Sequence, residues 1–329
     1  MLKKLTFIED LNYKNLKDID HQNNIYAFYK SICVKDNLEY YCERVNIDGK
    51  NGLLKSNNFN DNIDLCGFDL QAEDPKLCLI NNKIFIIFNI LNTETWGRTI
   101  CISDYENFCP IRLSIKDEKI NNIEKNWTPF VKDNKLFFIY SYDPLIVLSY
   151  DFNAEGVCNI IYKENNTTLP FDFKYIRGSS NLIQLCDEYY IGFVHSTIFT
   201  NRLNIGGYKY PYYVPFLIII DTKNYKITYL SEPISFNLNP NEKIKTVNNI
   251  IFDENEWHCV IYPTSINKIK EKEYLVSLFI NDRFSLKYKL EIDFRLDTTI
   301  NFSNLNEHSK KESVKYIKKY TKYSNDEYL

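Results

Sequence analysis

The 329-residue sequence has little alanine and little glycine: its only alanines are Ala27, Ala72 and Ala154, and it has nine glycines. Helix-rich and α/β folds depend on both residue types, so their scarcity counts against these classes. Charge of one sign is not in excess either, because 40 Lys and Arg oppose 43 Asp and Glu, a formal net charge of -3. A protein that binds a phosphate backbone would show a basic excess, so we expect no nucleic-acid partner.

Long apolar runs are also lacking. No stretch approaches the roughly 20 consecutive apolar residues of a transmembrane helix, so we expect no membrane span. The N-terminal segment reaches Glu9 and Asp10 too early for the apolar core of a secretory signal peptide. The nine cysteines form no Cys-x-x-Cys motif, and their odd number favours free thiols and a cytoplasmic location over scattered disulfides.

Motifs for metals and nucleotides are missing as well. The four histidines show no paired spacing, so a catalytic zinc site is not expected. The sequence contains neither Gly-x-Gly-x-x-Gly nor a Walker loop, which argues against Rossmann and P-loop nucleotide sites. The sequence therefore predicts no metal and no resident cofactor.

Aromatic residues are abundant instead, with 26 Tyr and 22 Phe beside many Ile, and these residue types favour β-strands. Five times an apolar stretch, a short polar turn and a second apolar stretch follow one another, which is the pattern of a β-hairpin. The predicted hairpins cover residues 28–45, 77–89, 129–141, 181–195 and 250–262. Further strands are predicted at 99–103, 145–150, 213–221 and 274–281.

Hairpins at such intervals, each followed by further strands, are typical of propeller blades. We therefore predict an all-β fold, a five-bladed β-propeller over residues 25–300. Residues 1–24 are expected to form a short N-terminal arm, and residues 301–329 a basic helical or disordered tail. A pair of β-sandwiches, in which the repeat is accidental, is the alternative.

Polar residues at the predicted strand ends are the candidate site residues, because propellers bind ligands where the innermost strands end at the central channel. Carboxylates there can bind sugar hydroxyls or act as acids and bases, whereas Arg, Lys and His suit a phosphate or another anion. The candidates are Arg44, Glu73, Asp74, Asn89, Arg98, Lys125, Ser141, Tyr142, Asp143, Arg177 and His195.

Several of these residues lie in segments that carry a resemblance. Glu73-Asp74-Pro75-Lys76, directly before the second hairpin, resembles the Glu-Asp-Pro-Arg signature of glycoside hydrolase family 130. Those proteins are five-bladed β-mannoside phosphorylases, related to the mannosyltransferases of glycosyltransferase family 108. Segments 124–130, 177–180, 193–195 and 216–225 resemble later family segments in the same order, and Arg44 lies where the first blade supplies an Arg. The likeness covers roughly residues 25 to 290.

This resemblance implies a protein that makes or breaks a β-mannosidic bond with inversion. Inorganic phosphate or a sugar 1-phosphate would be the co-substrate, and an oligosaccharide or sugar phosphate the partner. The resemblance assigns phosphate binding to Arg44, Lys125, Arg177 and His195, and sugar binding to Asp74, Asn92 and Asp143.

The sequence also departs from the family pattern. Asn92 stands where the family has its catalytic Asp, and an amide cannot donate a carboxylic proton, which leaves Glu94 as the nearest candidate acid. Lys76 replaces the signature Arg and loses its planar bidentate geometry. The last blade has Tyr262-Pro263-Thr264-Ser265, without the family's Gly and following Asp.

Two classes of function therefore stay open. The first is a carbohydrate-active enzyme, an inverting glycoside phosphorylase or glycosyltransferase that acts on β-mannosides or related sugars. The second is a catalytically inactive propeller that binds glycans or other proteins.

Overall fold

The structure, a computed structural model, describes residues 2–10, 25–57, 63–165, 176–203, 209–231, 234, 260–280 and 284–292. Within these residues the chain forms 22 β-strands and one short 3-10 helix, Phe68–Leu70. No helix in this part of the chain is long and apolar enough to cross a membrane.

The strands form five separate sheets. In chain order they are β1 Leu2–Asp10, β2 Ile25–Lys35, β3 Leu38–Ile47, β4 Lys50–Asn57, β5 Asp64–Cys66, β6 Glu73–Ile80, β7 Lys83–Asn92, β8 Gly97–Asp104, β9 Ile111–Arg112, β10 Ser114–Ile115, β11 Thr128–Lys132, β12 Lys135–Tyr142, β13 Leu145–Tyr150, β14 Val157–Lys163, β15 Ile176–Gly178, β16 Ile183–Cys186, β17 Tyr189–Leu203, β18 Lys209–Asp221, β19 Lys226–Leu230, β20 Ile261–Lys270, β21 Glu273–Ile280 and β22 Phe284–Ile292.

Each sheet is one blade of a propeller. Blade 1 has the order β2-β3-β4-β5, blade 2 β6-β7-β8-β9, and blade 3 β11-β12-β13-β14 with β10 beside β14. In blade 4, β15 and β16 both pair with β17, which continues to β18 and β19. Blade 5 has the order β20-β21-β22-β1.

The five blades close into a ring through their first strands. β2 packs against β6 on one side and β20 on the other, β6 contacts β11, β11 contacts β16, and β16 contacts β20. Two sandwiches would bring sheets together only in face-to-face pairs, so this ring excludes that alternative. The prediction of a five-bladed β-propeller is confirmed.

Aspartate and asparagine make the tight turns of three blades. Asp36-Asn37 joins β2 to β3, Asn81-Asn82 joins β6 to β7, and Asp133-Asn134 joins β11 to β12, all with φ between 48° and 62°. Positive φ at both central positions defines the type I′ turn, whose twist matches that of the paired strands. These residues tolerate left-handed backbone better than others, so the Asn-rich sequence places the first three hairpins where they were predicted.

The N-terminal segment differs from the prediction. Leu2–Asp10 is not an arm but the outermost strand of blade 5, antiparallel to β22, with Leu5 opposite Leu290 and Phe7 opposite Tyr288. Its charged sequence, LKKLTFIED, is typical of an edge strand, where Lys and Glu discourage further pairing. The two ends of the propeller are thus joined in one sheet by backbone hydrogen bonds.

The described part of blade 5 also differs from the prediction. Residues 250–259 of the predicted fifth hairpin lie outside the described residues. Ile261 and Tyr262, predicted to end its second strand, instead begin the innermost strand β20, which pairs with β21. The predicted tail, residues 301–329, lies outside the described residues as well.

Blade 1 meets blade 5 through buried hydroxyl groups. The Thr264 and Ser277 hydroxyls donate to the carbonyl oxygen of Lys30 at 2.6 and 2.8 Å, and the backbone N–H of Ile32 donates to Ser265 Oγ at 3.0 Å. The three hydroxyl-bearing residues are fully buried. Water cannot replace a partner that is lost here, so the seam between the first and last blades depends on these bonds.

Thr264→Val removes one of these donors and keeps the shape of the side chain. We expect the free energy of unfolding to fall by about 1–3 kcal/mol, because a buried acceptor loses a partner. Urea unfolding measures this change. Thr99→Val, at a partly exposed position of β8, is the matched control and should cost much less; equal losses in the two variants would contradict the role of the seam.

Candidate functional site

The innermost strands are irregular at one end of the central channel. Register shifts interrupt β2 at Tyr29, β6 at Asp74 and β20 at Thr264. Tyr29 and Asp74 have φ of 59° and 54°, a costly conformation for residues other than glycine. Bulges re-aim side chains and are common beside functional sites. Polar side chains from several blades converge at this end.

Glu73 is the carboxylate at the centre of these polar side chains. It is 4% exposed, and its Oε1 lies 3.0 Å from Arg44 Nη2, 2.6 Å from Arg98 Nη2 and 2.8 Å from Asn51 Nδ2. Its Oε2 lies 3.3 Å from Lys125 Nζ. One carboxylate therefore holds cations from β3, from β8 and from the segment before β11, which belong to three different blades. We call Glu73 and Asp74, with Arg44, Arg98 and Lys125, the charged cluster.

Asp74 is the second carboxylate of the charged cluster. Its Oδ2 accepts a hydrogen bond from Asn89 at 3.2 Å and lies 3.5 Å from Lys125 Nζ, and its Oδ1 lies 3.7 Å from Arg44 Nη1. Burial by itself would raise the pKa of Asp74, but Lys125, Arg44 and the Asn89 hydrogen bond hold it below its ordinary value. Asp74 is therefore ionised at neutral pH, so it can accept a hydrogen bond or a proton but has no proton to donate.

His195 lies in the wall formed by blades 4 and 5. Its ring is 1% exposed, stacks on Tyr213 at 4.6 Å and lies 4.8 Å from the ring of Tyr262, while Nδ1 is 2.9 Å from Ser179 Oγ. Burial, reinforced by the charge of Arg177, lowers the pKa of His195 to about 3. The imidazole is therefore neutral at physiological pH and offers one N–H donor.

Two more cations lie beside these groups. Arg177 on β15 is exposed and directly opposite His195 on β17, which places both side chains on one face of blade 4. Lys76 is buried, and its Nζ donates to the carbonyl oxygen of Trp127 at 3.1 Å. Burial lowers the pKa of Lys76 to about 8, although Asp74 opposes this shift. A small cavity between blades 2 and 3 is lined by Lys76, Asp74 and Trp127, among others.

The structure thus brings to this end of the channel five of the residues to which the resemblance assigns roles. Arg44, Asp74 and Lys125 meet in the charged cluster, and Arg177 and His195 form a cross-strand pair in the wall. Their roles in binding phosphate and sugar stay predictions.

The other predicted site residues lie at the turns of this end. Asn92 ends β7, and its Oδ1 accepts the backbone N–H groups of Glu94 at 3.0 Å and Thr95 at 3.2 Å. Glu94 itself is exposed in the turn that joins β7 to β8. Asp143 lies in the turn between β12 and β13, where its N–H donates to Ser141 Oγ at 3.3 Å. Nothing in this geometry tests the predicted roles of Asn92, Glu94 and Asp143.

Three members of this site have no role that could be assigned from the sequence. Glu73 and Arg98 were recognised as strand-end residues, but only the folded ring shows that Glu73 is the common partner of three cations. The position of Glu73 beside Asp74 was the available signal. Asn51, which bonds both Glu73 and Arg44, was not singled out, because Asn is too frequent in this sequence to mark a site.

The charge balance at this end of the ring defines a class of site. Among the described residues, ion pairs join three cations, Arg44, Arg98 and Lys125, to Glu73 and Asp74. Two further cations, Lys76 and Arg177, lie near Asp74 and His195. The chain as a whole carries a formal net charge of -3, so this cationic excess is local. Fixed cations bind an anion such as phosphate, and carboxylates with Asn side chains bind hydroxyl groups. The fold and the site together define a β-propeller that carries cations, carboxylates and amide side chains together at one end of its channel.

Comparison with known proteins assigns the family. The sequence matches the family model described as beta-mannosyltransferases over residues 102–327, more than half of the chain, and it therefore belongs to the beta-mannosyltransferase family. It is 29% identical over 197 residues to beta-mannosyltransferase 3 of Candida albicans, covering 52% of this chain and 35% of that protein. It is 35% identical over 100 residues to beta-mannosyltransferase 2 of Komagataella phaffii, covering 28% of this chain and 16% of that protein. The chain thus spans only a minor part of the length of these relatives.

Solved structures share the fold. A GDP-Man-dependent mannosyltransferase from Leishmania mexicana superposes with a TM-score of 0.56 at 10% identity, covering 91% of this chain and 94% of that chain. A beta-1,2-mannobiose phosphorylase from Listeria innocua superposes with a TM-score of 0.53 at 10% identity, covering 88% of this chain and 97% of that chain. The resemblance stated from the sequence, to a five-bladed family of mannoside phosphorylases and mannosyltransferases, is confirmed.

Glu73→Gln tests the charged cluster. The amide keeps the shape of Glu73 but removes the negative charge that three cations share, so we expect the free energy of unfolding to fall by about 3–5 kcal/mol. Glu118→Gln is the matched control, because Glu118 pairs with Lys163 at 3.1 Å where both side chains are exposed, and such a pair contributes at most about 1 kcal/mol. Urea unfolding of both variants measures the difference. A loss in Glu73→Gln no larger than in the control would contradict the central role of Glu73.

His195 predicts a pH dependence of stability. Its pKa is about 3 in the folded chain against 6.5 when free, so below pH 6.5 the unfolded chain takes up a proton that the folded chain refuses. Above pH 6.5, His195 therefore makes its full contribution to the free energy of unfolding. This contribution decreases as the pH falls toward 3, by up to about 1.4 kcal/mol per pH unit. His195→Gln should show a smaller fall in Tm between pH 6.5 and 4 than the unmodified chain. Parallel Tm curves over this range would show that His195 is not held neutral.

Proposed function

We propose that the chain is an inverting glycosyltransferase that forms a β-mannosidic bond from a mannosyl donor with a phosphate leaving group. The observation that carries this proposal is the charged cluster, in which an ionised Asp74 lies beside fixed cations from three blades. The beta-mannosyltransferase names of the relatives and the mannoside-active neighbours of the same fold support the choice of sugar.

The protonation of the site supports synthesis over cleavage. Cleavage of a glycoside needs an acid that protonates the leaving oxygen, and Asp74, the predicted sugar ligand, is ionised. A phosphate group leaves as an anion and needs no proton, only cations that stabilise its charge. The site has those cations. It also has a carboxylate that can take the proton of an acceptor hydroxyl.

The proposed step is a single displacement at the anomeric carbon. The acceptor oxygen forms a bond to this carbon as the bond to the phosphate oxygen breaks, so an α-linked donor yields a β-linked product. Asp74 takes the acceptor proton, and Arg44, Lys125, Arg177 and His195 hold the departing phosphate. Asn92 and Asp143 are proposed to bind sugar hydroxyls. Glu94, the acid predicted from the sequence, is the alternative to Asp74 in taking the acceptor proton, because the group that takes this proton in synthesis returns it as the acid in the reverse reaction.

Phosphate or a sugar 1-phosphate is proposed as the co-substrate, with no resident cofactor.

The cysteines bear on the location of the protein. The eight cysteines in the described part of the chain are free thiols, and burial raises the pKa of Cys33 to about 12, which keeps it protonated and inert. A cytoplasmic location stays a proposal, to be checked by counting reduced thiols in protein isolated from its own cell.

A specific observation favours a second candidate, a glycan-binding propeller without activity. Asn92 uses its side-chain oxygen to hold a turn, and Glu94 is exposed in that turn, so the region that carries the family's acid has the features of a structural loop. Such a protein would keep affinity for the sugar phosphate and would not release phosphate from it.

Calorimetry and a transfer assay test the proposed function. The unmodified chain should bind inorganic phosphate and mannose 1-phosphate, and should release phosphate from the latter when a β-mannoside acceptor is added. Lys125→Ala should weaken binding of both anions by about 10-fold or more, because it removes a charge-assisted contact.

Lys163→Ala is the matched control, since Lys163 lies in an exposed ion pair, and it should leave both affinities unchanged. Binding without release of phosphate would replace the transferase with the glycan-binding propeller. No binding of either anion would remove both candidates.

A further inference from the structure

Trp96 is an unusually exposed aromatic residue at the same end of the propeller. It is 74% exposed, and Ile123, which forms a backbone bridge with Arg98, is 60% exposed. Among the described residues these are the two most exposed large apolar side chains. An aromatic ring left in water at this end of the propeller is free to stack on the apolar face of a ligand. Trp96 lies in the turn between β7 and β8.

The backbone holds this tryptophan in place. Trp96 has φ of 53°, a conformation that is costly for a bulky side chain and persists only where its surroundings require it. Asn92 Oδ1 caps the start of the turn with two hydrogen bonds, and the Gly97 N–H donates to Thr95 Oγ1 at 3.3 Å. A backbone hydrogen bond joins the start of β8 to the segment that contains Asn122, because the Arg98 N–H donates to the carbonyl oxygen of Asn122 at 2.8 Å.

The turn is directly connected to the charged cluster. Arg98, two residues after Trp96, contacts Glu73 Oε1 at 2.6 Å and donates to Asn89 Oδ1 at 3.0 Å. Asn89 and Asn92 lie three residues apart on β7, a distance of about 10 Å at roughly 3.3 Å per residue. Trp96 therefore lies on the rim of the propeller at the end where the charged cluster lies, in the turn that follows β7.

The chemistry around Trp96 favours a saccharide over a protein partner. The apolar surface consists of two side chains, whereas a stable protein interface buries about 1,200 Å² or more. Its surroundings are polar and exposed: Thr93, Glu94, Thr95, Asn121 and Asn122. A sugar ring has an apolar C–H face and a rim of hydroxyl groups, so it matches an aromatic ring bordered by carboxylate, amide and hydroxyl groups.

We propose that Trp96 is the platform of an acceptor subsite, on which one sugar ring of the acceptor oligosaccharide stacks while the terminal sugar reaches Asp74. Exposed side chains of the β7–β8 turn and of Asn121 and Asn122 bind its hydroxyls. The subsite rests on the proposed function, because an acceptor is needed only if transfer occurs. It gives the exposed loop at Asn92 and Glu94 a role in acceptor binding.

Trp96→Gly is the decisive variant. Glycine removes the ring and accepts the positive φ, so its Tm should not fall below that of the unmodified chain. Affinity for mannotriose should fall about 10-fold or more, while affinity for inorganic phosphate stays within twofold. Ile269→Ala, at an exposed position toward the far end of β20, is the matched control and should change neither affinity.

Intrinsic fluorescence gives a second measurement that needs no activity. The chain has three tryptophans, of which Trp127 is 2% exposed. Mannotriose should shift the emission of the unmodified chain to shorter wavelength as the Trp96 ring leaves water, and the shift should be absent in Trp96→Phe.

The outcomes separate the subsite from the proposed function. If the unmodified chain binds phosphate and mannotriose and Trp96→Gly binds both equally well, the subsite is wrong and the proposed function stands. If mannotriose binding depends on Trp96 but phosphate does not bind, Trp96 is a stacking platform for a glycan, and both the proposed transfer and the acceptor role of the platform are wrong. If mannotriose does not bind the unmodified chain at all, the subsite is wrong.

Discussion

The closure of the ring between blade 5 and blade 1 is the constraint on which the rest of the molecule depends. β1 and β22 join the two ends of the propeller in one sheet, and the hydroxyls of Thr264 and Ser277 bond the Lys30 carbonyl across the seam. These bonds are buried, so they are satisfied only when the two blades are in register. An open ring would let the first strands separate at the channel, and the side chains that meet there would no longer contact one another.

Within the closed ring, Glu73 holds cationic side chains of three blades close together. Arg44, Arg98 and Lys125 would repel one another if they were brought together alone, and the shared carboxylate offsets this repulsion while fixing their positions. Cations held in this way need little reorganisation when an anion arrives, which is the arrangement that stabilises a departing phosphate. Neutral His195 adds a donor without adding to the positive charge.

Local residue chemistry accounts for the parts of the fold that could be predicted. Hairpins of the first three blades were predictable because Asp36-Asn37, Asn81-Asn82 and Asp133-Asn134 favour the left-handed backbone of their turns. The strand Leu2–Asp10 was missed because its pairing partner is β22, nearly the whole chain away, and an edge strand with charged side chains has no strong apolar pattern. In β18, residues from Phe216 to Ile220 are all buried, so strand alternation disappears where both faces of a blade are covered.

Composition, turn residues and strand-end polar residues determined by themselves that this chain is an all-β propeller with cations and carboxylates at one end. These features are local, since turn preference and strand preference act over a few residues. Only the tertiary structure decided that Glu73 is the common partner of three cations, that Asp74 is ionised despite its burial, and that Trp96 lies exposed beside them. The electrostatic and packing environment of a side chain depends on residues distant in sequence, and closing the ring brings those residues together.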